Sequence, residues 1–385
     1  MKSHRRATRS SLVILLVAGF ASIGVGGIAM AAGARTSSGS PFLSSLGTSR
    51  QVASTVPANG DINPYGIVVV PTTVGRLIKG DTLVSNFNDK ANVQGTGKTI
   101  VEVSPAGAVS TFATIGSLPA SKTCPGGIGL TTALSILPGG WVVVGSVPAG
   151  AGGALPLANP AGCLLVLNSS GAVTETWTNQ NINGPWDMTE VATGSGVDLF
   201  VSNVLSRAKG VTATPKNGDL STIVRVAISL KSGKSPQMTG LTVIGTGFLS
   251  RANTVAFVQG PTGSALGANG TLYVAETVNN HISEIPKAMT RMTAVSDGAV
   301  TLSSGGWLNR PLGLTIAPNG DVLAMNANDG NAVEINPQGH QVAKKTLVAN
   351  GAGDLFGLTI APGGKELLFV NDAATANALD IANVR

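Results

Sequence analysis

Two stretches of the chain carry nearly the same wording. LGLTIAPNGDVLAMNAND begins at Leu312, and FGLTIAPGGKELLFVND begins at Phe356, 44 residues later. A unit that recurs at such a period has to be one supersecondary element that buries its apolar face against copies of itself. Within the unit a short apolar run (Leu314, Ile316) meets a Pro-Asn-Gly-Asp turn at 318–321. A second run, Val322 to Met325, ends in Asn326, and after a polar loop a third covers Ala332 to Ile335. A turn at Pro337-Gln338-Gly339 leads to a fourth run, Thr346 to Val348. Short runs with period-two alternation, separated by Gly, Pro and Asn, read as antiparallel strands. Four strands in about 45 residues is the size of one propeller blade.

The same grammar runs through the chain. Blade one has NPYGIVVV (63–70), TLVSN (82–86) and TIVEVSPAGAV (99–109); blade two has LPGGWVVVG (137–145) and CLLVLNSSGAV (163–173). Blade three has GPWDMT (184–189), DLFVSN (198–203) and IVRVAI (223–228); blade four has GPTGSAL (260–266), TLYVAE (271–276) and HISEIP (281–286). Blades five and six are the two copies quoted above, and the last ends with ALDIA (378–382), one strand short. The unpartnered segment QVASTV (51–56) supplies that strand, which closes the ring and covers an exposed sheet edge. The expectation is an all-β fold: a six-bladed β-propeller, four antiparallel strands per blade, closed by an N-terminal strand. A seventh blade would have room only between Val226 and Phe257. A two-sheet sandwich also has many short strands, but its strands do not repeat the same turn words in the same order.

Before the repeats, a basic stretch (Lys2, His4, Arg5, Arg6, Arg9) precedes an apolar run from Leu12 to about Ala32 that contains Ala29-Met30-Ala31. This is the layout of a secretory signal peptide at 1–31, with an uncleaved anchor as the alternative. A flexible Ser/Gly/Thr-rich leader is expected at 32–50, and a single propeller domain at 51–385. Four positive charges sit in the signal segment, so the +6 of the whole chain falls to about +2 without it. No Lys/Arg-dense stripe remains to suggest nucleic acid. A secreted or periplasmic protein follows, with no membrane association after cleavage and a monomeric state. Its two cysteines, Cys124 and Cys163, then suit a disulfide better than a metal site. That bond would pin the Gly-rich loop 146–162, contributing on the order of 3 kcal/mol.

Blade geometry sorts the loops by face. Connections between blades, and between second and third strands, share one face and include the long segments 87–98, 146–162 and 204–220. Long irregular loops on a rigid scaffold are where binding usually resides. Second strands end in Asn at Asn86, Asn203, Asn326 and Asn371, with Glu276 in blade four and Gly145 in blade two. Such a ring could bind a polar ligand or a hard cation; the blander reading is that each Asn folds onto its own backbone to start the loop. Glu276 breaks the pattern. At the inner strands, Tyr65, Trp186, Thr262, Leu312 and Phe356 each precede Gly, except that Trp186 precedes Asp187. They form either an apolar collar at the channel mouth or packing between blades. A buried Asp187 beside a Trp needs a partner.

The wording P-x-G, G-x-L-Y-V-A, N-N, I over 261–285 resembles the NHL repeat, and the resemblance extends over 60–382. It is similar to secreted bacterial NHL-type propellers of largely unassigned function. Related gluconolactonase-like propellers hold a divalent cation with Glu, Asn and Asp at the inner-strand entrances, where only Asp187 here offers an oxygen. Streptogramin-lyase-like propellers use His and Glu with magnesium; here His281 begins a third strand and His340 follows a turn on the opposite face. No Ser-His-Asp arrangement, G-x-S-x-G or phosphate-cradling loop is present. The expectation is a binding module without a cofactor that takes a small polar ligand, a glycan or a protein on its long-loop face. Its candidate residues are Trp186, Asp187, Asn203, Glu276, Asn326 and Asn371. The rival is a metal-assisted lyase or lactonase with a divalent cation such as Ca or Mg on Asp187, Glu276 and Asn203.

Overall fold

The computed structural model describes residues 39–148, 161–194, 196–205, 220–253, 257–373 and 376–385. The expected signal peptide (1–31), the first part of the expected leader and most of the loops 146–162 and 204–220 lie outside the described residues. The described chain opens with α1 (Phe42–Ser45) and β1 (Arg50–Ser54). Blade one is β2 (Ile62–Val69), β3 (Thr82–Asn88), β4 (Thr99–Val103) and β5 (Val109–Thr114). Blade two is β6 (Leu130–Leu137), β7 (Trp141–Val147), β8 (Cys163–Leu167) and β9 (Val173–Trp177). Blade three is β10 (Pro185–Thr193), β11 (Gly196–Asn203), β12 (Leu220–Ser229) and β13 (Gln237–Leu249). A hairpin, β14 (Arg251–Asn253) and β15 (Phe257–Gln259), follows it. Blade four is β16 (Pro261–Leu266), β17 (Leu272–Glu276), β18 (His281–Ile285) and β19 (Val300–Ser304). Blade five is β20 (Pro311–Ile316), β21 (Val322–Asn326), β22 (Asn331–Ile335) and β23 (Gln341–Thr346). Blade six is β24 (Leu355–Ile360), β25 (Glu366–Asn371) and β26 (Ala378–Asn383), completed by β1.

Six four-stranded antiparallel sheets in a ring make this a six-bladed β-propeller. The stretch between Val226 and Phe257 holds no further blade: it is the rest of β12, the elongated outer strand β13 and the β14–β15 hairpin. Middle strands are covered on both faces by neighbouring blades, so they read as unbroken apolar runs such as Val142–Val144. Leu83 and Ile100 of blade one share a core with Val142 and Leu165 of blade two; Phe200 and Phe248 of blade three pack with Leu272 and Ile285 of blade four. At roughly 1.5–3 kcal/mol per buried side chain, these inter-blade layers hold the ring together.

β1 pairs antiparallel with β26, Arg50 opposite Ile381 and Ser54 opposite Ala378, so the chain's beginning closes the ring. The expected flexible leader needs correction at its C-terminal end. Phe42, Leu43 and Leu46 are buried against blades five and six. The Glu334 carboxylate accepts the backbone N–H groups of Phe42 and Leu43 at 2.8 and 2.7 Å. Averaged Ser/Gly composition hides three apolar side chains at helical spacing. Cys124 and Cys163 form the expected disulfide, with Cα atoms 5.4 Å apart, tying the connection after blade one to the start of β8. Among the described residues no helix is long and apolar enough to cross a membrane.

Candidate functional site

Each inner strand meets its neighbour through the same irregularity. In blade one the ladder steps from Pro64–Asn86 to Ile67–Val84, and the equivalent step starts at Thr131, Pro185, Pro261, Pro311 and Leu355. One extra residue on the inner strand is a β-bulge. Because it recurs at one level, residues at equal distance beyond it form rings. This register also corrects one reading: the blade-two counterpart of the strand-ending Asn is Ser146, opposite Thr131, and not Gly145.

The first ring contains Tyr65, Trp186, Thr262, Leu312 and Phe356, all buried. Tyr65 packs on Phe356 with centroids 5.0 Å apart and edge-on to Trp186 at 5.3 Å; Phe87 lies 5.8 Å from both Tyr65 and Trp186. Trp186 Nε1 donates to the Tyr65 hydroxyl, joining blades three and one across the ring. Val147, which ends β7, and Val204 and Ala327, just past β11 and β21, belong to the same cluster. Tyr65, Trp186, Leu312 and Phe356 thus share one buried cluster, a plug on the long-loop side.

The second ring is Gly66, Ala133, Asp187, Gly263, Gly313 and Gly357. A Cβ on Gly313 would lie 2.1 Å from the Phe356 carbonyl oxygen, and one on Gly357 would lie 2.3 Å from that of Tyr65. Neighbouring backbones approach so closely that glycine is required. Two positions depart from glycine, Ala133 in blade two and Asp187 in blade three; Asp187 Oδ2 accepts the Ser264 N–H at 2.7 Å, so its side chain bridges blades three and four. Its own N–H donates to Ser202 Oγ at 3.1 Å, and that hydroxyl donates to the Thr262 carbonyl at 2.7 Å.

Below these rings lies a cavity of about 520 Å³ lined by the inner strands of all six blades. A hydroxyl-rich ring follows (Ser135, Thr189, Thr315, Thr359, with Val68 and Ala265), then a rim of Val69, Ile136, Glu190, Leu266, Ile316 and Ile360. These residues approach the first-to-second-strand turns. The cavity therefore opens on the face expected to carry only short turns and is shut on the long-loop face. That open face is not uniformly short-turned: segment 70–81 connects β2 to β3, and its Pro71 lines the cavity. Arg76 holds the segment over blades one and two, donating to the carbonyls of Thr111 at 2.6 Å and Phe112 at 3.0 Å.

Burial pushes the Asp187 carboxyl up to about 7, against the lowering effect of N–H donors from Ser264 and Met188. Asp187 is only partly exposed, and it lines the cavity. Tyr65 is raised by burial and by the Asp187 charge, and Glu190 is raised by burial. The folded protein holds the Asp187 proton to about pH 7, whereas the ordinary value is 3.8, so this group's contribution to stability falls as pH rises between them. Asp187→Asn keeps an acceptor for Ser264 and removes that loss. We expect the unfolding free energy of the variant minus that of wild type to be larger at pH 8.5 than at pH 4.5, by roughly 2 kcal/mol or more. Asp372, raised to about 8 by burial and Asp354, adds its own slope, so the informative quantity is variant minus wild type. Equal differences at both pH values would show that Asp187 ionises freely.

The other nominated residues do not join Asp187. Glu276 accepts from Ser283 Oγ and from Asn279 Nδ2 at 2.9 Å, and pairs with His281 Nε2 at 2.8 Å, all within blade four and its loop. Asn203 accepts the Asn183 N–H at 2.9 Å. Asn326 accepts from Asn309 N–H and donates to the Trp307 carbonyl; Asn371 accepts from Ala373 N–H and donates to Asp380. Each Asn serves its own blade's loops. Among the described residues no three His, Cys, Asp or Glu side chains converge as a metal would require. Glu190, the other carboxylate of the cavity, escaped sequence reading: its signal is its distance from a bulge that only the pairing reveals.

No protein-family model matches the chain, and no curated protein matches it. Solved structures do. The calcium-binding protein regucalcin from Agrobacterium tumefaciens superposes with a TM-score of 0.52 at 14% identity, covering 86% of this chain and 92% of its own. A gluconolactonase from Xanthomonas campestris gives 0.51 at 11%, covering 85% and 88%. Virginiamycin B lyase from Staphylococcus aureus gives 0.47 at 15%, covering 88% and 89%. At these identities the likeness is one of fold.

Proposed function

We propose that this propeller is an exported binding module that takes a small ligand into its central channel from the short-turn face. One observation carries the reading: six inner strands enclose a cavity with one end plugged, a single carboxylate at that end and a hydroxyl-rich middle. Such a concave site with few placed polar groups is the usual form of a small-molecule pocket. The disulfide suits an oxidising compartment, in keeping with the export signal expected at 1–31. The NHL-type wording of 261–285 is compatible with this reading.

Thr315→Trp tests it by filling the channel from a half-buried wall position. A panel of small polar metabolites is screened by thermal shift against wild type and variant. Stabilisation by one or more compounds in wild type, abolished in Thr315→Trp, is the expected result. Hits that persist unchanged in the variant would place the ligand elsewhere.

A second reading rests on Asp187 itself. A carboxyl raised to about 7 is matched to general acid–base work at neutral pH, as a lyase or lactonase would need. Turnover of a lactone panel by wild type, lost in Asp187→Asn with binding retained, would favour catalysis. Tight calorimetric binding of calcium, magnesium or manganese, lost in Asp187→Ala, would favour the metal-assisted form.

A further inference from the structure

From the layering of the channel we infer that its ligand is a small organic cation with an apolar body; this rests on the binding reading above. The wall's formal charges are all of one sign. Asp187 and Glu190 are its carboxylates, and no Lys, Arg or His lines the cavity among the described residues. Both belong to β10, and each is the only charged residue in its ring. Three residues along a strand separate them by roughly 10 Å. Asp187 therefore lies at the closed end, and Glu190 lies at the rim.

The closed end sets that carboxylate beside the aromatic plug, because Tyr65 and Phe356 line the cavity where Asp187 does. A carboxylate beside aromatic rings at the closed end of a cavity favours an ammonium group over a neutral or anionic one. Asp187 is already oriented by the Ser264 N–H, so little reorganisation accompanies binding. The rest of the rim is aliphatic (Val69, Ile136, Leu266, Ile316, Ile360), which suits an apolar body rather than a sugar. Glu190, alone in that rim, steers a cation inward.

The test uses matched pairs differing only in charge: choline against 3,3-dimethylbutan-1-ol, and acetylcholine against 3,3-dimethylbutyl acetate. Binding is measured by calorimetry in wild type, Asp187→Asn, Glu190→Gln and Thr315→Trp. We expect each cation to bind at least tenfold more tightly than its neutral partner, and Asp187→Asn to erase that preference. Glu190→Gln, at the solvent-facing rim, should weaken cation binding severalfold and serves if Asp187→Asn fails to fold. Thr315→Trp should abolish binding of both. Equal or tighter binding of the neutral partner, still blocked by Thr315→Trp, would overturn the cation inference and leave the channel reading intact. No binding of any member overturns the inference. If the metabolite panel also gives no hit that Thr315→Trp removes, the channel reading falls with it.

Discussion

Trp186→Ala is expected to lower the unfolding free energy by about 3–5 kcal/mol, as loss of a fully buried aromatic does. Trp186 is wholly excluded from solvent and meets Tyr65 and Phe87 edge-on. Truncation removes that packing and strips the Tyr65 hydroxyl of its Nε1 donor. The residues around it come from several blades, so little can collapse into the void without tilting a blade. Trp186→Phe separates the two effects, since it keeps most of the apolar area and loses the hydrogen bond, at a cost of about 1–2 kcal/mol. Urea denaturation of both variants decides the matter. A Trp186→Ala midpoint shift worth less than about 1 kcal/mol would mean that the plug is not a packed core.

The second large effect is expected at the closure. A chain beginning at Thr55 should lose at least about 5 kcal/mol relative to one beginning at Gly39, from burial of Phe42, Leu43 and Leu46 alone. The truncation also removes the β1 ladder and bares β26 as an open sheet edge, which invites aggregation. Glu334→Gln probes the clip more finely. The carboxylate accepts from Phe42, Leu43 and Asn319, and an amide offers one oxygen for those three donors. A loss of about 1–3 kcal/mol follows. Its charge also raises Asp321, after burial, to about 6, so part of the loss is returned above that pH as Asp321 ionises more easily. Unchanged melting and solubility in the Thr55 form would show that the ring closes without its N-terminal strand.

The architecture was legible because propeller blades are local. The turn at 318–321 and its relative at 362–365 lie between strands that pair with each other, so pairing partners sit within one repeat. Even the closing strand could be found by counting, since one blade lacked a strand and one strand lacked a blade. Blade two was the weak place: its inner strand β6 reads Leu-Thr-Thr-Ala-Leu-Ser-Ile-Leu, with neither the Pro nor the Gly of which every other inner strand has at least one. Asp187 was noticed because it interrupts a glycine ring, a chemical contrast visible in one dimension.

The partners of these residues were a matter for the tertiary structure. Glu276 and Asp187 both stand out in sequence, yet one is consumed by His281 and Ser283 inside its blade and the other faces the channel. That difference follows from strand position: Asp187 lies on β10, an inner strand that lines the channel, whereas Glu276 ends β17, a second strand. The side of the ring that opens was equally beyond a linear reading. It depends on Tyr65 and Trp186, 121 positions apart, meeting across the axis. Residue order settled the repeat, the strands and the closure because those are contacts between near neighbours in the chain. The plugged face and the charge of the cavity came only from closing the ring, which brings six distant segments to one centre.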